Sequence, residues 1–165
     1  MSENIVNFDV DILDFESAVD EIDVLVPRYL SALQELEAVN TFAEIPSHLK
    51  NVVAYWERLV MLFEQLEPLE KDIPFRDIMI NSLQSELGTL EKVYLKINLR
   101  IEFNESQWTR SLWKAAEAVL NRMDVVLKQL NFSADHEDRI LIAELQSKNN
   151  TKYQKWLMSN KVLRR

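Results

Sequence analysis

The sequence predicts an all-α fold, an up-and-down antiparallel four-helix bundle with a short C-terminal helical extension. Three observations carry that reading. Glycine occurs once, at Gly88, and proline four times, so the turn chemistry that β-hairpins demand is missing. Four stretches set apolar residues at alternating steps of three and four, the spacing that keeps them on one side of a helix. The links between those stretches are only about five to seven residues long, which makes consecutive helices antiparallel neighbours. A chain of 165 residues can bury a core without staples. A single helical domain is expected over 1–165, with the bundle over roughly 11–147 and a basic extension over 148–165.

The first helix is predicted from Phe15, Val19, Ile22, Val26, Tyr29, Leu33 and Leu36. Pro27 lies inside it, yet the stripe keeps phase, so one kinked helix or two abutting ones are expected rather than a loop. The second runs through Leu49, Val52, Trp56, Leu59, Phe63 and Leu66, with Ser47 as its expected N-cap and Pro68 marking its end. The third is the most regular: Ile80, Leu83, Leu87, Leu90, Tyr94, Ile97, Ile101. Pro74 suits its first turn, where a missing N–H costs nothing. Gly88 inside it costs about 1 kcal/mol relative to alanine; it is either tolerated or marks the close approach of another backbone. The fourth helix runs through Leu112, Ala116, Val119, Met123, Val126 and Leu130, with Asn104 or Ser106 as expected cap. A fifth, shorter helix is expected to start at Ser133, where Asp135, Glu137 and Asp138 complement the helix dipole. The same seams would serve a coiled coil shared by two chains, so a homodimer is a second arrangement.

The charge is polarised. Residues 1–44 hold eleven acidic side chains against one arginine, a net of −10, while 104–165 hold seven acidic against eleven basic, a net of +4. The last stretch, "KNNTKYQKWLMSNKVLRR", contains six basic residues and no acid. The polar run "QSKNNTK" ahead of it suggests a hinge. If the tail is helical, Tyr153, Trp156 and Leu157 share one side with lysines around them. Such a pattern suits a protein-docking helix, single-stranded nucleic acid gripped through phosphate and base stacking, or an anionic membrane surface. Its plain reading is a cap on the bundle's end with the lysines reaching into water. The acidic first helix is a solvated face, a partner for the basic end within the chain or head to tail between copies, or a mimic of nucleic-acid charge.

Chemistry-bearing motifs are missing. One glycine makes no phosphate loop, and no Gly-x-Ser-x-Gly occurs. There is no cysteine, which fits a reducing compartment, and neither His48 nor His136 completes a Glu-x-x-His pair for a di-metal bundle. No cofactor and no metal is expected. The N-terminus carries acids where a secretory signal needs basic and apolar residues, so a cytoplasmic location is expected and the sequons at Asn104, Asn131 and Asn149 are read as coincidence. Trp108 and Trp113 are five apart, hence about 140° round a helix, so they do not lie on one line: either both fit a broad buried face, the reading favoured, or one is partly exposed and serves as an interface anchor.

The function expected is that of a non-enzymatic protein–protein interaction module (adaptor, inhibitor, chaperone or assembly subunit) working by helix-in-groove recognition. The alternative is a nucleic-acid-associated protein that contacts phosphate through its tail. The candidate partner-binding residues are Asp14, Asp20 and Asp23 on the first helix, Trp108, and Lys152, Tyr153, Lys155, Trp156, Arg164 and Arg165 in the tail.

Overall fold

The structure, a computed structural model, describes residues 15–66 and 75–163. In chain order they form α1 (Phe15–Ala38), a 3-10 turn (Phe42–Glu44), α2 (Ile45–Leu66) and α3 (Phe75–Phe103). A second 3-10 turn (Glu105–Gln107), α4 (Arg110–Gln129) and α5 (Glu137–Leu163) follow. No strand occurs among the described residues. The fold is all-α, as the periodicity predicts, with four predicted seam helices and a C-terminal fifth. The chain divides into two compact units, Met1–Thr89 and Leu90–Arg165, so the boundary falls inside α3.

In the first unit α1 packs along α2. Their partners run antiparallel: Tyr29 meets Trp56 near the link, and Glu21 meets Arg58 further from it. Every apolar residue predicted for the α2 seam is buried. On α1 the core line is Ala18, Ile22, Leu25, Tyr29, Leu33 and Leu36. The predicted Val19 and Val26 are half-buried instead, because adjacent apolar pairs at 18/19 and 25/26 straddle the seam and packing selects one of each. Pro27 sits inside one uninterrupted helix. Two polar contacts are enclosed here. The Tyr29 hydroxyl lies 2.6 Å from Glu86 Oε1, with both residues fully buried, and 3.2 Å from the Ser82 carbonyl. Arg58 donates through Nε and Nη2 to the two Glu21 oxygens at 2.5 and 2.7 Å.

The second unit is built from the end of α3 with α4 and α5. Leu90, Val93, Ile97 and Ile101 of α3 are buried, as is an α4 face from Leu112 and Trp113 to Leu127. Partners again run antiparallel: Asp124 with Arg139, Asn121 with Gln146, Trp113 with Asn149 and Tyr153. The turn between α4 and α5 depends on Asn131, whose φ of 66° is left-handed. Phe132 N–H donates to Leu127 O and Asn131 N–H to Lys128 O, the double bond of a Schellman ending.

Several boundaries differ from expectation. α2 starts at Ile45, so Pro46 occupies the first turn and Ser47 lies inside the helix. The cap of α4 is Thr109, whose Oγ1 accepts from Leu112 N–H at 3.2 Å, rather than Asn104 or Ser106, which instead flank and enter the 3-10 turn. Ser133 bonds Asp135 (2.6 Å) ahead of α5, and the ring Nδ1 of His136 accepts the Asp138 N–H at 3.1 Å, a cap's role. α5 is 27 residues long, longer than the short extension expected. It runs straight through the "QSKNNTK" hinge and across the boundary anticipated between 147 and 148. That run holds no Gly or Pro to stop a helix, and Asn149 within it is buried. A Cβ added at Gly88 would meet nothing within 4 Å, so no other backbone approaches there.

Candidate interaction site

In the second unit four aromatic rings form a continuous stack. Trp108 meets Trp113 edge to face at 5.1 Å between centroids, Trp113 lies over Tyr153 at 6.2 Å, and Tyr153 over Trp156 at 6.2 Å. Lys114 Nζ stands 5.5 Å from the Tyr153 ring centre, within cation–π range. Trp113 and Tyr153 are buried, while Trp108 and Trp156 at the ends are half-buried. Trp108 is the partly exposed one of the pair, and the helical-wheel angle does not keep it from Trp113 because it is not on the helix. Trp108 lies before the Thr109 cap in extended backbone, so its ring is free to fold over Trp113. Its Nε1 donates to the carbonyls of Arg100 (3.3 Å) and Ile101 (3.2 Å) in the last turn of α3, where Arg100 O also accepts the Asn104 N–H at 3.0 Å.

Beside the stack is a cavity of about 50 Å³, lined by Tyr94, Asn98, Glu102, Lys148, Asn149 and Lys152 among others. Lys148 reaches Glu102 at 3.7 Å across its rim. Asn149 Nδ2 lies 3.5 Å from the Trp113 carbonyl, and its Oδ1 is buried without a hydrogen-bond partner. Burial pushes the Tyr94 phenol above its ordinary value, and the Glu102 carboxylate pushes it further in the same direction. The space is large enough for one or two waters, at roughly 30 Å³ each, and well below the roughly 300 Å³ at which small-molecule pockets begin. A wider, open depression of about 530 Å³ lies where α4 and α5 meet, with Asp124 and Arg139 on its wall. Those two charges face each other at 3.5 Å, and Arg139 Nη1 also donates to the Phe132 carbonyl.

The third feature is a face of α3. Leu99 lies about 180° round the helix from the buried Leu90, and Leu95, Leu99 and Phe103 follow one another at four-residue steps along that outer line. They are 57%, 47% and 76% exposed. Lys92, Lys96 and Arg100 flank the line on one edge, Glu91 and Glu102 on the other. The end of α3 is therefore apolar on two opposite sides, one in the core and one outside.

Of the residues singled out from the sequence, Trp108, Lys152, Tyr153, Lys155 and Trp156 all belong to the second unit, where Trp113 links the three aromatics. Lys152 lines the small cavity and Lys155 is exposed. Tyr153 is buried, with Trp113 and Trp156 packed next to its ring, so it is closed to a stacking base. Asp20 and Asp23 are exposed on α1 in the first unit. Asp14, Arg164 and Arg165 lie outside the described residues. Sequence reasoning missed the outer face of α3, although its signal, three large apolar residues at i, i+4 and i+8 opposite the main stripe, was legible. Among the described residues no three His, Asp or Glu side chains are placed to share a metal ion, and no helix is long and apolar enough to cross a membrane.

No family model matches the chain, and comparison with curated proteins and with solved structures finds no match either.

Proposed function

We propose that this chain is a non-enzymatic protein–protein interaction module that binds its partner through the outer face of α3. One observation carries the reading: Leu95, Leu99 and Phe103, at four-residue steps on one side of α3, form an exposed apolar ridge opposite its buried line. Single exposed leucines are ordinary, whereas aligned ones flanked by charges are how helical surfaces anchor a partner. Fully burying one such side chain is worth about 1.5–3 kcal/mol, so the three supply the apolar part of an anchor. A helix seated along the ridge, with the lysine edge setting its orientation, is the mode such a face suits. The phosphate-binding alternative has less in its favour, because Tyr153 is buried beside Trp113 and Trp156.

The test is affinity capture from the native host with wild-type chain and with a Leu99→Glu, Phe103→Glu variant. Both positions are exposed, so the variant is expected to keep its helical circular dichroism. It is expected to lose the proteins retained by the wild type. Undiminished capture would remove the α3 face from consideration.

A further inference from the structure

Helix α5 carries an asparagine into the core of the second unit, where an apolar side chain is the ordinary choice. Asn149 is 7% exposed, and only half of its amide is used. Its Nδ2 faces the Trp113 carbonyl at 3.5 Å, while Oδ1 is buried and receives no hydrogen bond from the protein. An enclosed acceptor left in that condition costs the full desolvation of its oxygen. Asn149 forms part of the wall of the cavity of about 50 Å³ beside the aromatic stack, and every residue of that wall belongs to the second unit. Trp113 lines the same cavity and holds a second buried polar atom without a protein partner, the indole Nε1, which is a donor.

The wall restricts what can fill the space. Lys148 and Lys152 outnumber Glu102 there, which disfavours a cation. The Asn149 oxygen and the Glu102 carboxylate offer only lone pairs, which disfavours an anion. What fits is a neutral molecule that both donates and accepts, and the volume admits one or two waters at roughly 30 Å³ each. We infer that this cavity is the site of a bound water that donates to Asn149 Oδ1 and accepts from the Trp113 indole N–H. Tyr94 and Asn98 supply further polar groups from α3. Buried waters make about three hydrogen bonds to groups that a fold leaves unpaired, and here those groups come from α3, α4 and α5. With the water in place both ends of the Asn149 amide are engaged, which accounts for a polar residue in the core at this point of α5. The inference is independent of the α3 ridge and stands or falls apart from it.

Two measurements on the full chain test it. A crystal structure at a resolution that shows ordered solvent should place a water within hydrogen-bond distance of both Asn149 Oδ1 and Trp113 Nε1. Water-to-protein Overhauser spectra in solution should show a long-lived water beside the Asn149 amide and the Trp113 indole proton. Asn149→Leu is close in volume and cannot accept a hydrogen bond. It should keep its helical circular dichroism and lose the cross-peak from that water to the Trp113 indole. A cavity without ordered water density overturns the inference, as does an ion in that place, an Asn149 oxygen that meets a protein donor instead, or a Trp113 cross-peak that survives Asn149→Leu. If the variant does not fold, the wild-type density and cross-peaks decide by themselves.

Discussion

Tyr94 shows how one side chain registers its surroundings. Its ring lies half-buried beside Glu102, and burial first, then the carboxylate, hold its proton above the ordinary tyrosine value. The unfolded chain gives up that proton at the ordinary value of about 10, before the folded chain does. The stability contributed by Tyr94 is therefore complete below that value and is lost as pH rises through the folded value. Replacing Glu102 with Gln should bring the folded value down and narrow the alkaline loss, read by phenolate absorbance and by melting temperature against pH. The same scale explains the polar residues inside the first unit. Arg58 is tolerated because Glu21 receives it with two bonds, and the buried Glu86 because Tyr29 lies 2.6 Å away. Neither pairing was legible beforehand, since the partners are 37 and 57 residues apart in sequence.

Among the elements, α5 departs most from what its sequence suggested. Read alone, its second half is a polar tail with a hinge, separable from the bundle. In the structure Asn149 and Tyr153 face inward, Tyr153 stacks on the fully buried Trp113, and the helix is continuous from Glu137 to Leu163. Deleting residues 148–165 is therefore expected to destabilise the second unit, and Tyr153→Ala alone should cost about 3 kcal/mol, in the range of large aromatic truncations. Urea denaturation followed by tryptophan fluorescence measures both. An unchanged midpoint would show the tail to be an appendage after all. α3 presents the opposite case: its core line was read correctly at Leu83, Leu90, Ile97 and Ile101, and its outer line was overlooked because one stripe already accounted for the helix.

For the whole molecule, the useful division is between two compact units of opposite charge, which was only half visible in the sequence. The acidic start and basic end were plain, whereas the boundary between Thr89 and Leu90 lies inside a helix and has no linker composition to reveal it. Glu21→Ala removes the bidentate ion pair of the buried Arg58 and is expected to cost about 2–3 kcal/mol, less than the roughly 3–5 kcal/mol of a fully enclosed pair, since the Glu21 side chain is 27% exposed. Amide exchange should quicken across 15–66 far more than across 110–163. Uniform acceleration would mean that the units unfold as one.

What the sequence by itself determined was helix: where apolar residues recur every three or four positions, where glycine and proline are scarce, and hence which residues of α2 and, from Leu112 to Val126, of α4 face inward. Periodicity is local, so it survives without knowledge of partners. The tertiary structure alone decided the rest. It joined Trp108, Trp113, Tyr153 and Trp156 into one stack, turned the tail into part of a core, and left Leu95, Leu99 and Phe103 uncovered. Each of those outcomes depends on which distant surfaces meet, and a helix with two apolar sides does not say which one the fold will bury.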